Sequence, residues 1–341
     1  MRLSGFMFLA LSLTAPVHAE PDPPEARRTM LQTIVNEIET SYIDPDRVRH
    51  LGAALRTARL QAPMGDEEFA HTLTDILRTL TADPHLRLMY SAEPAAAGRA
   101  GAPSPEDIAR REARLRAQNY GIARVERLPG NIGYLKTHFF APATPSAPSI
   151  GAAMTLLANT DALIIDLRDN DGGATDAVPL LASYLFDERT HIADLYTRKG
   201  NITQQQWTSP AVPGVRFGGR KDVYLLTSKS TFSAAEGFAF ALRNRGRVTI
   251  VGETTRGGAH PSRIAPVSAH LALMVPTSTA RDPVTRQDWE GVGVAPDVAT
   301  AAADALTRAQ ILILDELQAN KQDAALQAEI RARREELAAQ R

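Results

Sequence analysis

Three short, continuously apolar runs, "DALIIDLR", "DVYLLTS" and "RVTIVGE", alternate with segments of helical spacing, and nothing else in the chain limits its fold so strongly. A strand that is apolar on both faces must be covered on both, and two such strands lying parallel need a crossover between them, usually a helix. The intervening segments "DAVPLLASYLF" and "SAAEGFAFALRNRG" read as those helices, with "PSIGAAMTLLANT" before them and "AADALTRAQILILDELQ" after. With "NIGYLKTHFF" as a further strand and "SRIAPVS" and "HLALMVPT" as a strand pair, this texture predicts an α/β domain with a largely parallel sheet over residues 107–320.

Ahead of it the texture differs. From Glu25 to about Leu88 apolar residues recur at helical spacing, as in "MLQTIVNEIETSYI" and "FAHTLTDILRTL". Residues 20–90 therefore read as a small helical bundle, closing in "TADPHLRLMYS", where Pro84 stops the helix and the alternation turns extended. Residues 91–106, rich in Ala, Pro, Gly and Ser, read as a linker, followed by the charged helix "PEDIARREARLRAQN". Residues 321–341 read as a charged helical tail with a thin apolar stripe, expected to be solvated.

Residues 1–19, "MRLSGFMFLALSLTAPVHA", join Arg2, a short apolar segment and small residues before a cleavage point, the pattern of a secretory signal. The expectation is an exported protein, periplasmic or secreted, starting near Glu20 and with no stable membrane insertion afterwards. Cysteine is absent, which removes disulfides, thiol catalysis and thiolate metal sites. The formal net charge is −1 with no basic stripe, so nucleic acid is not an expected partner. The histidines show no HExxH or other ligand spacing, so no metal and no organic cofactor is expected.

The chemistry concentrates at two turns. In "KSTFSAAEGF", Ser233 stands three residues before Glu236 where a strand gives way to a helix. That spacing is a capping box, which satisfies helix-start amides and needs no further role. A serine at such a junction also projects beyond the sheet, with the Ala234 N–H placed to donate to an oxyanion, provided a base and an orienting group lie nearby. In "ALIIDLRDNDGGATDAV" the pair Gly172–Gly173 follows a strand, and glycines there let the backbone approach a ligand. For the base, His85 after the bundle and His260 in "TTRGGAHP" both qualify, and the residues alone do not choose between them.

Taken in order, "GNIGYLKTHFF", "ALIIDLRDNDGG", "TSKSTFSAAEGFAFAL", "VGETTRGGAHP" and "WEGVGVAPDV" resemble the tail-specific, or C-terminal-processing, serine peptidase family. The likeness is nearest to the branch similar to interphotoreceptor retinoid-binding protein and the tricorn protease core, and it spans residues 27 to 315. It implies a Clp-protease/crotonase-like α/β domain after the bundle, with Ser233 as nucleophile and oxyanion donors at Gly172, Gly173 and Ala234. Members with a Ser-Lys dyad carry their lysine where this chain has Gly258, so the resemblance points instead to a histidine base, His85, oriented by Glu290, with His260 as a substrate-loop candidate. It implies peptide or unfolded-protein substrates cleaved through an acyl-enzyme. No stretch reads as a PDZ insertion. The alternatives are a binding protein for hydrophobic, lipid- or retinoid-like ligands on the same scaffold, and a hydrolase of small esters or amides.

Overall fold

A computed structural model describes residues 24–57, 60, 64–93, 104–320 and 323–339. The leader at 1–19 and most of the linker read at 91–106 lie outside the described residues. Helices Pro24–Ser41 (α1), Pro45–Val48 (α2), Leu51–Thr57 (α3) and Asp66–Thr81 (α4) come first, then strand Arg87–Tyr90 (β1). Three acidic residues open α4, where they face the positive end of its dipole, and Ala82 ends it in a left-handed conformation. Helix Pro105–Ala117 (α5) is capped reciprocally by Ser104 and Asp107.

The α/β part follows: strands Ile122–Leu128 (β2) and Ile132–Thr137 (β3), helix Ala143–Leu157 (α6), strand Ala162–Asp166 (β4) and helix Ala177–Ala182 (α7). Next come His191–Thr197 (β5), Ile202–Trp207 (β6), Asp222–Thr227 (β7), helix Ala234–Asn244 (α8) and Thr249–Gly252 (β8). Ser262–Pro266 (β9), Leu271–Pro276 (β10), Ser278–Arg281 (β11), Val298–Ala299 (β12) and helices Ala305–Asn320 (α9) and Ala324–Ala339 (α10) complete the order.

The central sheet runs β12-β8-β7-β4-β3-β2, with only the β2–β3 pair antiparallel. Side chains alternate across it. Leu163, Ile165, Val223 and Leu225 pack with α6, α7 and α8, whereas Ala162, Ile164, Tyr224 and Leu226 pack with α9 and α10. A helix–sheet–helix sandwich results, as two-faced apolar strands require. The tail differs from its solvated expectation, because Ile330 and Leu337 are buried against α9 and Glu329 accepts from the Gly130 N–H. The thin stripe suffices because it needs to cover one helix only. Among the described residues no helix is long and apolar enough to cross a membrane.

The bundle does not close its own core. Its helices pack Ile34, Ile38, Phe69, Leu73 and Leu77 against Leu271, Leu273 and Val275 of β10, and β1 joins β10 and β9 in a three-stranded antiparallel sheet. This shared core fixes the end of α4, and so His85, beside the α/β layer. Leu273→Ala should cost about 2–5 kcal/mol in a denaturant titration. Amide exchange should then accelerate in α4 and β10 together, since they bury one another.

Candidate active site

Neighbouring parallel strands β4 and β7 deliver both turns to one edge of the sheet, at the carboxyl ends where open α/β sheets bind ligands. Ser233 has φ 54° and ψ −118°, outside the extended range of an ordinary capping residue. Such a non-glycine conformation costs about 1–3 kcal/mol and persists only where its surroundings enforce it. Those surroundings include the glycine pair. A Cβ on Gly172 would lie 2.7 Å from Ser233 Cβ and 2.9 Å from Ala234 N, and one on Gly173 would lie 2.2 Å from the Phe140 carbonyl oxygen.

The three amides at these turns are not equivalent. Gly172 N–H donates to Asn170 Oδ1 at 2.8 Å, so it is already engaged. The bridge between Phe140 and Gly173 uses the Gly172 carbonyl and the Ala174 amide, which leaves the Gly173 amide out of it. Ala234 N–H precedes the first bond of α8, donated by Gly237 to the Ser233 carbonyl. Among the described residues the Gly173 and Ala234 amides beside Ser233 are thus left without a hydrogen-bond acceptor.

Glu236 does more than close the helix start. Fully buried, it accepts at Oε2 from the amides of Ser233 and Gly258, both at 2.8 Å, and at Oε1 from Thr255 Oγ1 at 2.5 Å and the Gly257 amide at 2.6 Å. Burial raises its carboxyl above the usual range despite those bonds. The serine turn is thereby tied to the loop 254–260.

His85 stacks on Phe232, the residue before Ser233, with ring centroids 4.7 Å apart. It lines the same cleft of about 650 Å³ as Ser233, Gly173 and His260, and both its ring nitrogens are buried without a hydrogen-bond partner. Glu290 accepts from the Ala259 amide at 2.6 Å through Oε2, while its Oε1 is buried and unpartnered. Burial raises the Glu290 carboxyl, against the lowering charge of His260. An apolar pocket lined by Val178, Ile192, Phe240 and Trp289 also borders Ser233 and Ala234.

Asp83, which no motif in the sequence marks, lies between the two histidines. Its side chain accepts from Tyr42 Oη at 3.0 Å and the His85 amide at 2.8 Å, and lies 2.9 Å from His260 Nδ1 and 3.6 Å from His85 Nδ1. Ligand atoms of Asp83, His85 and Glu290 fall within 4.8 Å of one another, a set that could hold a cation. Of the three, Asp83 is filled by Tyr42, the His85 amide and His260, whereas the His85 ring nitrogens and Glu290 Oε1 are unpartnered among the described residues. The cluster's only local sequence signal is the turn Asp83-Pro84-His85.

Burial would raise the Asp83 carboxyl, but the bonds from His260 and the His85 backbone amide hold it well below the usual range. Burial would lower His260, but the Asp83 bond and the charge of Glu290 hold its imidazole above the ordinary value. A depressed acid contributes stability above its unfolded pKa, and a raised base contributes it below its own. The pair therefore stabilises most between about pH 4 and 6.5. Asp83→Asn should lower the Tm more at pH 5.5 than at pH 8.5, and equal losses at both would contradict a charged pair.

Residues 131–300 match the sequence model of peptidase family S41. The carboxy-terminal-processing protease of Bartonella bacilliformis is 28% identical over 185 residues, half of this chain and 39% of that protein. The chain thus spans well under half the length of that relative. Among solved structures, a peptidase from Parabacteroides merdae aligns with a TM-score of 0.58 at 20% identity, covering 89% of this chain and 100% of that one. The photosystem II D1 C-terminal processing protease aligns at 0.52 and 16%, covering 81% and 93%. These two likenesses establish the shared fold, and with the match over residues 131–300 the chain belongs to peptidase family S41.

Proposed function

We propose that the protein is an exported serine peptidase acting on peptides or unfolded segments through an acyl-enzyme. The observation that carries this reading is the strained Ser233 turn, flanked by the Gly173 and Ala234 amides and facing a cleft that also holds His85. In this reading Ser233 Oγ attacks the scissile carbonyl, His85 takes the proton and returns it to the leaving amine, and the two amides stabilise the oxyanion. Glu290 orients His85 through an intervening group, for which its unpartnered Oε1 and the empty ring nitrogens of His85 are suited. The apolar pocket beside Ser233 takes an apolar substrate side chain. Export rests on the leader sequence alone.

Gly258 supports a histidine over a lysine. A Cβ there would lie 2.6 Å from His85 Cε1 and 2.3 Å from Phe232 Cε2, so no side chain fits at this position while His85 is stacked. A second reading makes His260 the base, favoured by its 2.9 Å contact with Asp83. A binding role without turnover remains the rival of a different class.

Ser233→Ala should reduce peptide hydrolysis by roughly 10⁴-fold or more and abolish fluorophosphonate labelling. A wild-type protein that takes no label would favour the binder. His85→Ala should be as damaging as the serine change, and His260→Ala less so; the reverse order would make His260 the base. An acid limb centred clearly above about 6.5 would point the same way, since the His260 imidazole is raised. Gly258→Ala should displace His85, lowering kcat much more than it raises KM, and cost about 1–3 kcal/mol of stability by overpacking.

A further inference from the structure

Three ligating side chains converge beside the serine turn with lone pairs to spare. His85 is only 6% exposed, and neither of its ring nitrogens has a partner among the described residues. Glu290 Oε1 is buried and likewise unpartnered, while Oε2 is engaged by the Ala259 amide. Asp83 Oδ1 accepts from the His85 amide and keeps a second lone pair, because Tyr42 and His260 lie against Oδ2. That Oδ1 is 3.6 Å from His85 Nδ1, and one ligand atom from each of the three residues falls within 4.8 Å of the others. Buried polar atoms are rarely left unpaired, so an imidazole nitrogen and a carboxylate oxygen left so at one spot call for an electron-pair acceptor.

One imidazole and two carboxylates form a donor set suited to zinc(II), at bond lengths of about 2.0–2.2 Å, whereas magnesium and calcium take oxygen ligands. Ligands on a tetrahedral ion of that size stand about 3.4 Å apart, so the set has to close by roughly an ångström. Glu290 can supply this movement, since its Oε1 gives up no hydrogen bond in turning. His260 lies 2.9 Å from Asp83 Oδ2 and 3.6 Å from Glu290 Oε2, so an ion shares both acids with it. The cleft of about 650 Å³ that His85 lines gives the ion a path from solvent.

We infer that Asp83, His85 and Glu290 form an inhibitory binding site for a zinc(II)-class ion. A neutral imidazole has one N–H and one lone pair. Once the Nδ1 lone pair is given to a metal, Nε2 carries the proton and has none of its own to give Ser233 a base. Such an ion is a reversible stop and takes no part in the reaction, unlike a catalytic zinc that activates water. Binding stands on the geometry alone; inhibition rests on the peptidase reading with His85 as base. Spacing in the sequence gives no sign of the site, because Glu290 follows far along the chain.

Competition for zinc(II) between EDTA-stripped protein and a chromophoric chelator reads binding without turnover. Wild type should hold a single ion per chain that millimolar magnesium or calcium does not displace. His85→Phe, which keeps a ring against Phe232, and Glu290→Gln should each weaken that binding by about tenfold or more, with circular dichroism checking that both are folded. Cobalt(II) gives a second reading: the visible bands of a four-coordinate site should appear in wild type and vanish in His85→Phe. Zinc should slow fluorophosphonate labelling of Ser233 by about tenfold or more at saturation, and excess EDTA should restore it. No bound zinc, binding unchanged in both variants, or binding lost in His260→Gln but kept in His85→Phe would overturn the site. Binding with undiminished labelling would overturn the inhibition. A protein that takes no label even without zinc would remove the peptidase reading, while the chelator titration would still decide the site.

Discussion

A single buried carboxylate holds the site together. Glu236 accepts from Ser233, Thr255, Gly257 and Gly258, so one side chain joins the serine turn after β7 to the loop after β8. A carboxylate taken from water is costly unless its lone pairs are filled, and here four donors fill them. The loop so fixed carries Gly258 against His85 and presents the Ala259 amide to Glu290. The strained geometry of Ser233 depends on the same bonds, because its own amide is one of the donors.

A second constraint is the shared core between bundle and hairpin. Leu271, Leu273 and Val275 belong to the α/β stretch in sequence, yet they bury the helices that precede it. The position of His85 relative to Ser233 is therefore set by packing between segments far apart in the chain. Asp83 adds a polar tie across the same junction, reaching Tyr42 on one side and His260 on the other.

Elements with strong periodicity were readable from the amino acids. The apolar runs of β4, β7 and β8 announce themselves, as do α6, α8 and α9. The strands β2, β5, β6, β11 and β12 are not legible in the sequence, and "ITQQQW" shows one reason: β6 is mostly exposed and polar, so no apolar period marks it. At the site, Ser233 and the glycine pair were legible because turn chemistry is local. Asp83 was not, since its main partner lies 177 residues away. Nor could the sequence reveal that Asn170 occupies the Gly172 amide, or that Glu236, legible as a helix-start residue, also binds a distant loop. Those facts belong to side chains meeting after folding.

The absence of a side chain at position 258 has a consequence for how such a site can change. The imidazole and any longer residue at that place compete for one volume, with contacts of 2.6 Å to His85 and 2.3 Å to Phe232. A side chain gained at 258 would have to push aside the His85 imidazole, the Phe232 ring or both, so the stacked pair and a larger residue at this position exclude one another. Position 258 thus records, by what it lacks, where the imidazole sits.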